Sequence, residues 1–351
     1  MRLIGLLAAS LILSAAPATA LVPGGIALEA DGSIVVVGFG PDYQVIRIDS
    51  VTGVVTTVSS SSVGSGASLD TVRDVAVEAS GSLVVTLPFI GFQKVLRVDP
   101  VSGDRSVVSD PSVGSGPSIF PRSVAVATGG ELYVTQDQEF GTPGVVRVDP
   151  STGDRFIVTG PSRGAGPAIK APTGIVVEPG GSLAVTEQLL DAVLRIDPAT
   201  GDRTIVSDAH TGSGPDLSWV VAITAAADET LLVADRGGVH SCIPFCPSEL
   251  CQICIEVAPS LVRVDPGSGD RKTVSGGGSC VTVGLGCVTP YFGRTGAGRR
   301  FLAPTDVAVE AGGSYVVADT GLGDDPTIVR VDPVTGRRRV LAHLGTAPAL
   351  P

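Results

Sequence analysis

Apolar residues in this chain come in bursts of four or five, dominated by Val, Ile and Leu, and each burst is closed by Gly, Pro, Asp or Ser. Bursts this short and β-branched, bounded by turn formers, predict strands, and no helical spacing connects them. The window from 70 to 120 sets the pattern with Asp74-Val75-Ala76-Val77, Leu83-Val84-Val85-Thr86, Val95-Leu96-Arg97-Val98 and Arg105-Ser106-Val107-Val108. Asp99-Pro100-Val101-Ser102-Gly103 joins the last two. There Pro presets the first turn position, the Asp carboxylate accepts a backbone N–H, and Gly takes the positive φ of a bulged hairpin.

The window repeats. The phrase Arg-Val/Ile-Asp recurs with aspartates at Asp49, Asp99, Asp149, Asp197, Asp265 and Asp332, separated by 50, 50, 48, 68 and 67 residues. Six four-stranded units predict an all-β six-bladed β-propeller with four antiparallel strands per blade. The blades are expected at 21–69, 70–120, 121–170, 171–218, 219–302 and 303–351, forming one domain over 21–351. A solenoid of β-turns fits less well, because its repeats are about half as long. No blade buries both faces alone, so the six must stack into a ring.

Composition narrows the class. A Val-rich chain that is 43% apolar is not disordered even with 46 Gly and 26 Pro, and a net charge of −11 leaves no electrostatic footprint for nucleic acid. Residues 1–20 combine Arg2, an apolar run from Leu3 to Ala16 and Ala18-Thr19-Ala20, the pattern of a secretory signal peptide cut near Leu21. No later apolar run is long enough to span a bilayer, so the mature chain is expected to be secreted or periplasmic, without a membrane span.

Strand alternation separates the two faces of the ring. The start of each first strand, the end of the second and the start of the third share an upper face, while the Asp-Pro turns lie on the lower one. The positions opening the first strands read Gly25, Asp74, Ser123, Gly174, Ala222 and Asp306, preceded by Gly24, Arg73, Arg122, Thr173, Val221 and Thr305. Those ending the second strands read Gly38, Leu87, Gln136, Glu187, Asp235 and Asp319. Asp74 and Asp306 are therefore candidate ligands for Ca²⁺ or another divalent cation, and Arg73 and Arg122 for an anion. Glu187, Asp235 and Asp319 join the candidate set, with strand-end capping as the competing reading. The Arg-x-Asp phrases occur in every unit and are read as scaffold ion pairs or turn caps. The glycine pairs at 64/66, 114/116, 164/166, 212/214 and 296/298 are read as crossover links, since neither a helix nor a Lys-Ser/Thr pair follows to make a phosphate loop.

Blade five carries two insertions, 236–260 and 276–302, both leaving from the upper face. They hold all six cysteines, Cys242, Cys246, Cys251, Cys254, Cys280 and Cys287. In an oxidising compartment these read as three disulfides tying irregular loops into one cap, with fifteen pairings possible. Cys251-Gln252-Ile253-Cys254 has the spacing of a zinc pair, but export favours bridges. His240 lies in the first insertion and His210 in the link before blade five, both expected near the channel mouth, where either could act as a base.

Ala303-Pro304-Thr305-Asp306-Val307-Ala308-Val309, Tyr315-Val316-Val317-Ala318-Asp319 and Val329-Arg330-Val331-Asp332-Pro333 resemble bacterial NHL-repeat propellers and, more distantly, gluconolactonase-like and streptogramin-lyase-like ones. The resemblance covers all six units but concerns blade construction. Gluconolactonase-like enzymes place an acidic metal ligand on the first inner strand, where this chain has Gly25 with Glu29 at the far end, and no inner-strand position supplies the histidine of the lyases. The sequence thus predicts an exported propeller binding a small ligand or a protein partner at the upper mouth under the blade-five cap. The alternative is a divalent-metal-assisted lactonase or lyase using Asp74, Asp306 and either Asp235 or Asp319, with His240.

Overall fold

The computed structural model describes residues 21–40, 42–89, 91, 93–139, 141–244, 252–283, 286–287, 293–321 and 325–345. The signal segment and the cysteines at 246 and 251 lie outside them.

Blade one is β1 (Val22–Leu28), β2 (Ile34–Phe39), β3 (Tyr43–Ile48) and β4 (Val55–Ser59). Blade two is β5 (Asp74–Val77), β6 (Leu83–Leu87), β7 (Lys94–Val98) and β8 (Arg105–Ser109). Blade three is β9 (Val124–Val126), β10 (Leu132–Gln136), β11 (Gly144–Val148) and β12 (Arg155–Thr159), and blade four is β13 (Pro172–Val177), β14 (Leu183–Glu187), β15 (Ala192–Ile196) and β16 (Arg203–Ser207). Blade five comprises β17 (Val220–Ala225), β18 (Leu231–Asp235), β21 (Ser260–Val264) and β22 (Arg271–Gly276). Blade six comprises β25 (Pro304–Val309), β26 (Tyr315–Asp319), β27 (Thr327–Val331) and β28 (Arg338–His343). Each is a four-stranded antiparallel sheet in chain order, so this is an all-β six-bladed propeller. The four strands expected between 74 and 108 agree with β5 to β8 to within one residue at each end.

Central strands are buried on both faces: Val84, Leu132, Leu183 and Leu231 are inaccessible, and their clusters run between adjacent blades. First strands of successive blades touch all round the ring, including β25 against β1. Among the described residues no strand is exchanged to close it. Closure rests on packing and on bonds between the ends, among them Leu21 N to Leu344 O (2.7 Å) and Ile26 N to Asp306 Oδ2 (2.7 Å).

At the perimeter, Arg155 opens β12 and plugs the link from blade two, donating to Ser109 Oγ (2.8 Å), Asp110 O (2.8 Å), Val113 O (2.9 Å) and Pro117 O (2.7 Å). Arg105, Arg203, Arg271 and Arg338 do the same in other blades. The glycine pairs seat these plugs. A Cβ on Gly114 would lie 2.0 Å from Gly153 O, so backbone approach, beyond crossover freedom, fixes the residue type.

The arginines of the Arg-x-Asp phrase are scaffold pairs, as expected, but with partners the phrase does not contain. Arg97 is bidentate to Glu78 (2.7 Å), and Arg47, Arg195 and Arg330 pair with Glu29, Glu178 and Glu310. Where that position is Ala127, Arg147 stacks on Phe156 instead, 4.9 Å from its centroid. The aspartates cap their turns, as in Val101 N and Ser102 N to Asp99 Oδ1 (2.9 and 2.7 Å).

The blade-five insertions correct the expectation of irregular loops. β19 (Gly238–Pro244), β20 (Gln252–Val257), β23 (Ser279–Val283) and β24 (Gly286–Cys287) form a seventh sheet, ordered β19-β20-β23-β24. Strands from both insertions pair directly, Ile255 opposite Val281, so backbone hydrogen bonding organises a segment that composition marked as loop. The sheet is rooted beside Asp235 and Ser260, the paired upper ends of β18 and β21. Among the described residues no helix is long and apolar enough to cross a membrane.

Candidate functional site

The first strands surround an axial cavity of about 350 Å³. Ile26, Val75, Val124, Ile175, Ile223 and Val307, one from each blade, are buried in the cores between blades, and Leu28, Val77, Val126, Val177 and Val309, only partly buried, give the lower part of the cavity its apolar lining. Its mouth is polar, lined by Arg73, Asp74, Arg122, Ser123, Thr173 and Asp306. Hydroxyls tie the mouth together between blades: Thr86 Oγ1 donates to Arg122 O, Thr135 Oγ1 to Thr173 O and Thr173 Oγ1 to Val220 O, each at 3.1 Å. A Cβ on Gly24 would lie 2.4 Å from Arg73 O, so glycine lets blade one close against blade two.

Asp74 and Asp306 meet channel water but are otherwise enclosed by protein. Asp74 Oδ2 accepts from Val124 N (2.9 Å) and Ser123 Oγ (2.5 Å) of blade three, and Oδ1 accepts from Val75 N (2.8 Å). Asp306 staples blade six to blade one through Ile26 N and also accepts from Val307 N (2.8 Å). Both carboxylates therefore satisfy N–H groups of the inner strands. Desolvation raises the pKa of Asp74, and raises that of Asp306 further because Asp74 lies close by.

This donor set does not fit a divalent cation. All four carboxylate oxygens already accept backbone or hydroxyl hydrogens, arginines crowd the mouth, and among the described residues no group of three potential ligands converges. No catalytic step is derived through Ca²⁺ or another metal.

The second ring resolves into caps. Asp235 accepts from Ser218 N (2.9 Å), Trp219 N (3.1 Å) and Gly237 N (2.7 Å), and Asp319 from Leu302 N (2.8 Å), Ala303 N (2.9 Å) and Gly321 N (3.0 Å). Glu187 accepts from Lys170 N, Ala171 N and Leu190 N. Each holds the incoming link to the upper end of its own blade. Burial raises the pKa of Asp235 despite these donors.

Two residues escaped the sequence reading. Arg236, directly after Asp235, donates from Nε to Pro304 O (3.0 Å) at the start of β25. It lies close enough to Arg73 and Arg122 for the three guanidiniums to repel one another. Desolvation within the mouth first and this repulsion second push Arg73 down to about 10, although its side chain keeps access to channel solvent, which screens both effects. Arg122 is neutralised by an ion pair with Asp137, whereas among the described residues no acceptor bonds the Arg73 guanidinium. The available signal was the position after the second ring, charged only at Asp137 and Arg236. The second omission is Asp191 in the β14–β15 turn, at φ +47° with Oδ1 buried and unpartnered. Desolvation, then Asp235 and Glu187, push its carboxyl up to about 7.

His210 is exposed on a perimeter link against the Asp265–Gly269 turn, away from the mouth where it was expected: the adjoining Gly212 packs against Gly269 O. His240 belongs to β19, and its side chain lies outside the described residues.

No protein-family model matches the chain, and no curated protein matches it either. Solved structures share the fold. A Bacteroides thetaiotaomicron protein of unknown function is 17% identical with a TM-score of 0.56, over 88% of this chain and 69% of that one. Virginiamycin B lyase from Staphylococcus aureus is 16% identical with a TM-score of 0.54, over 91% and 83%. A putative gluconolactonase is 13% identical with a TM-score of 0.52, over 87% and 88%. At these identities the likeness is one of fold.

Proposed function

We propose that the protein is exported and binds a small ligand at the upper mouth of its channel, beneath or beside a cap tied by disulfides. The carrying observation is the β19-β20-β23-β24 sheet, in which two separate insertions leave the same rim and pair with each other. A rigid ring with one elaborated rim concentrates binding there. The rim is also where Phe39, Leu189, Leu190, Trp219 and Leu302 stay exposed, each at or just after the end of a second strand or just before a first. The secretory pattern of residues 1–20 supports export, and no cysteine among the described residues is free. Cys242 and Cys254 stand directly opposite in the β19–β20 register, a placement suited to a bridge.

The test replaces residues 238–258 by an Asn-Gly turn, a short connection because Asp235 and Ser260 already pair. The mature protein and this variant are incubated in conditioned medium, repurified and weighed by native mass spectrometry. A small-molecule adduct on the former and none on the folded variant is expected. Equal adducts on both would remove the cap from the binding site.

A further inference from the structure

Arg73, Arg122 and Arg236 come from blades two, three and five, yet their guanidiniums gather at one mouth. This collar of arginines has carboxylates beside it, Asp74 and Asp137 near Arg73 and Asp319 near Arg236, so the mouth carries charge of both signs. Arg122 is matched by Asp137 and Arg236 is steered by a single carbonyl, which neutralises nothing. Arg73 stands in the cavity with no hydrogen-bond acceptor among the described residues. Of the carboxylates at the mouth, Asp74 and Asp306 spend their oxygens on inner-strand N–H groups, and Asp137 spends its own on Arg122 and Glu139 N. Guanidinium carries five N–H donors, and its fork matches a carboxylate or phosphate.

Below the collar the lining turns apolar at Leu28, Val77, Val126, Val177 and Val309, which are only partly buried by the blade cores. The cavity of about 350 Å³ is larger than a lone inorganic anion needs and lies within the range for small organic ligands. We propose that the channel mouth is a binding site for a small organic anion, its carboxylate or phosphate head held by Arg73, Arg122 and Arg236 and its apolar body lodged against these partly buried apolar residues. This rests on the upper-mouth reading above and adds the chemical class of the ligand.

The proposal is tested on the mature chain by calorimetric titration at fixed ionic strength with four probes: phosphate, phenylphosphate, acetate and benzoate. Phenylphosphate or benzoate is expected to bind at least about tenfold more tightly than its headgroup alone, since the phenyl ring leaves water for an apolar surface. Arg73→Gln and, separately, Arg236→Gln are expected to weaken that binding about tenfold or more while circular dichroism stays unchanged. The phosphate and carboxylate arms tell which head the collar prefers. Binding that is equal with and without the phenyl group would overturn the lodged body. Binding by none of the four, or binding unchanged in both variants, would overturn the anion site. Probe binding that survives replacement of 238–258 supports the collar while removing the cap from the proposed function; loss of the medium adduct alone, with no probe bound, does the reverse.

Discussion

Asp191 is a half-buried electrostatic liability whose removal has a pH-dependent effect on stability. Its Oδ1 is buried without a partner, its backbone sits at φ +47°, and Asp235 and Glu187 add negative charge nearby. These push the carboxyl from 3.8 up to about 7. A folded-state pKa above the unfolded one means that the fold prefers the protonated acid. The associated stability is complete below about pH 4 and is lost as pH rises through about 7. A rise of about three units corresponds to about 4 kcal/mol at full burial, but the side chain is half-buried, and solvent screening reduces this to about 1–2 kcal/mol. Asn is neutral, nearly isosteric and tolerated at positive φ. Asp191→Asn should therefore be nearly neutral at about pH 4 and stabilising by about 1–2 kcal/mol at about pH 8.5. Urea unfolding of both proteins across that range gives the difference curve. A variant whose advantage does not grow with pH would refute the assignment of the raised carboxyl to this residue.

Other consequences follow from the ring. Arg155→Met leaves several carbonyls of the preceding link without their donor and should cost about 3 kcal/mol in urea unfolding, with a fall in Tm. Gly114→Ala forces a left-handed residue against Gly153 O and should destabilise by about 2–4 kcal/mol; a loss below about 1 kcal/mol would show that the link can shift away. Asp306→Ala removes the acceptor of Ile26 N, so hydrogen exchange at Ile26 should accelerate about tenfold or more while amides of blade three are unaffected. Acceleration spread evenly over all six blades would deny Asp306 its local role in closure.

Blade construction was legible because it is local. The bursts, the Asp-Pro turns and the spacing of Asp49 to Asp332 gave strands, hairpins and blade number, and strand alternation placed both insertions on one rim. Pairing across distance was less legible. Glu29, Glu78, Glu178 and Glu310 precede their arginines by 18, 19, 17 and 20 residues, an offset that varies with hairpin length, and the pairs became evident only once first and third strands lay in one sheet. Asp235 and Asp319 looked like channel ligands because a strand end does not reveal which backbone N–H groups the next link will bring. The cap was assigned to loops because glycine, proline and cysteine masked strands that pair with a segment about thirty residues away. Arg236 was overlooked because its importance comes from arginines on two other blades.

The most direct measurement of the central claim is the crystal structure of the mature protein with phenylphosphate. The account predicts the phosphate against Arg73, Arg122 and Arg236 with the ring directed into the channel. A molecule bound at the lower turns, or at the perimeter links with the mouth free of ligand, would contradict it.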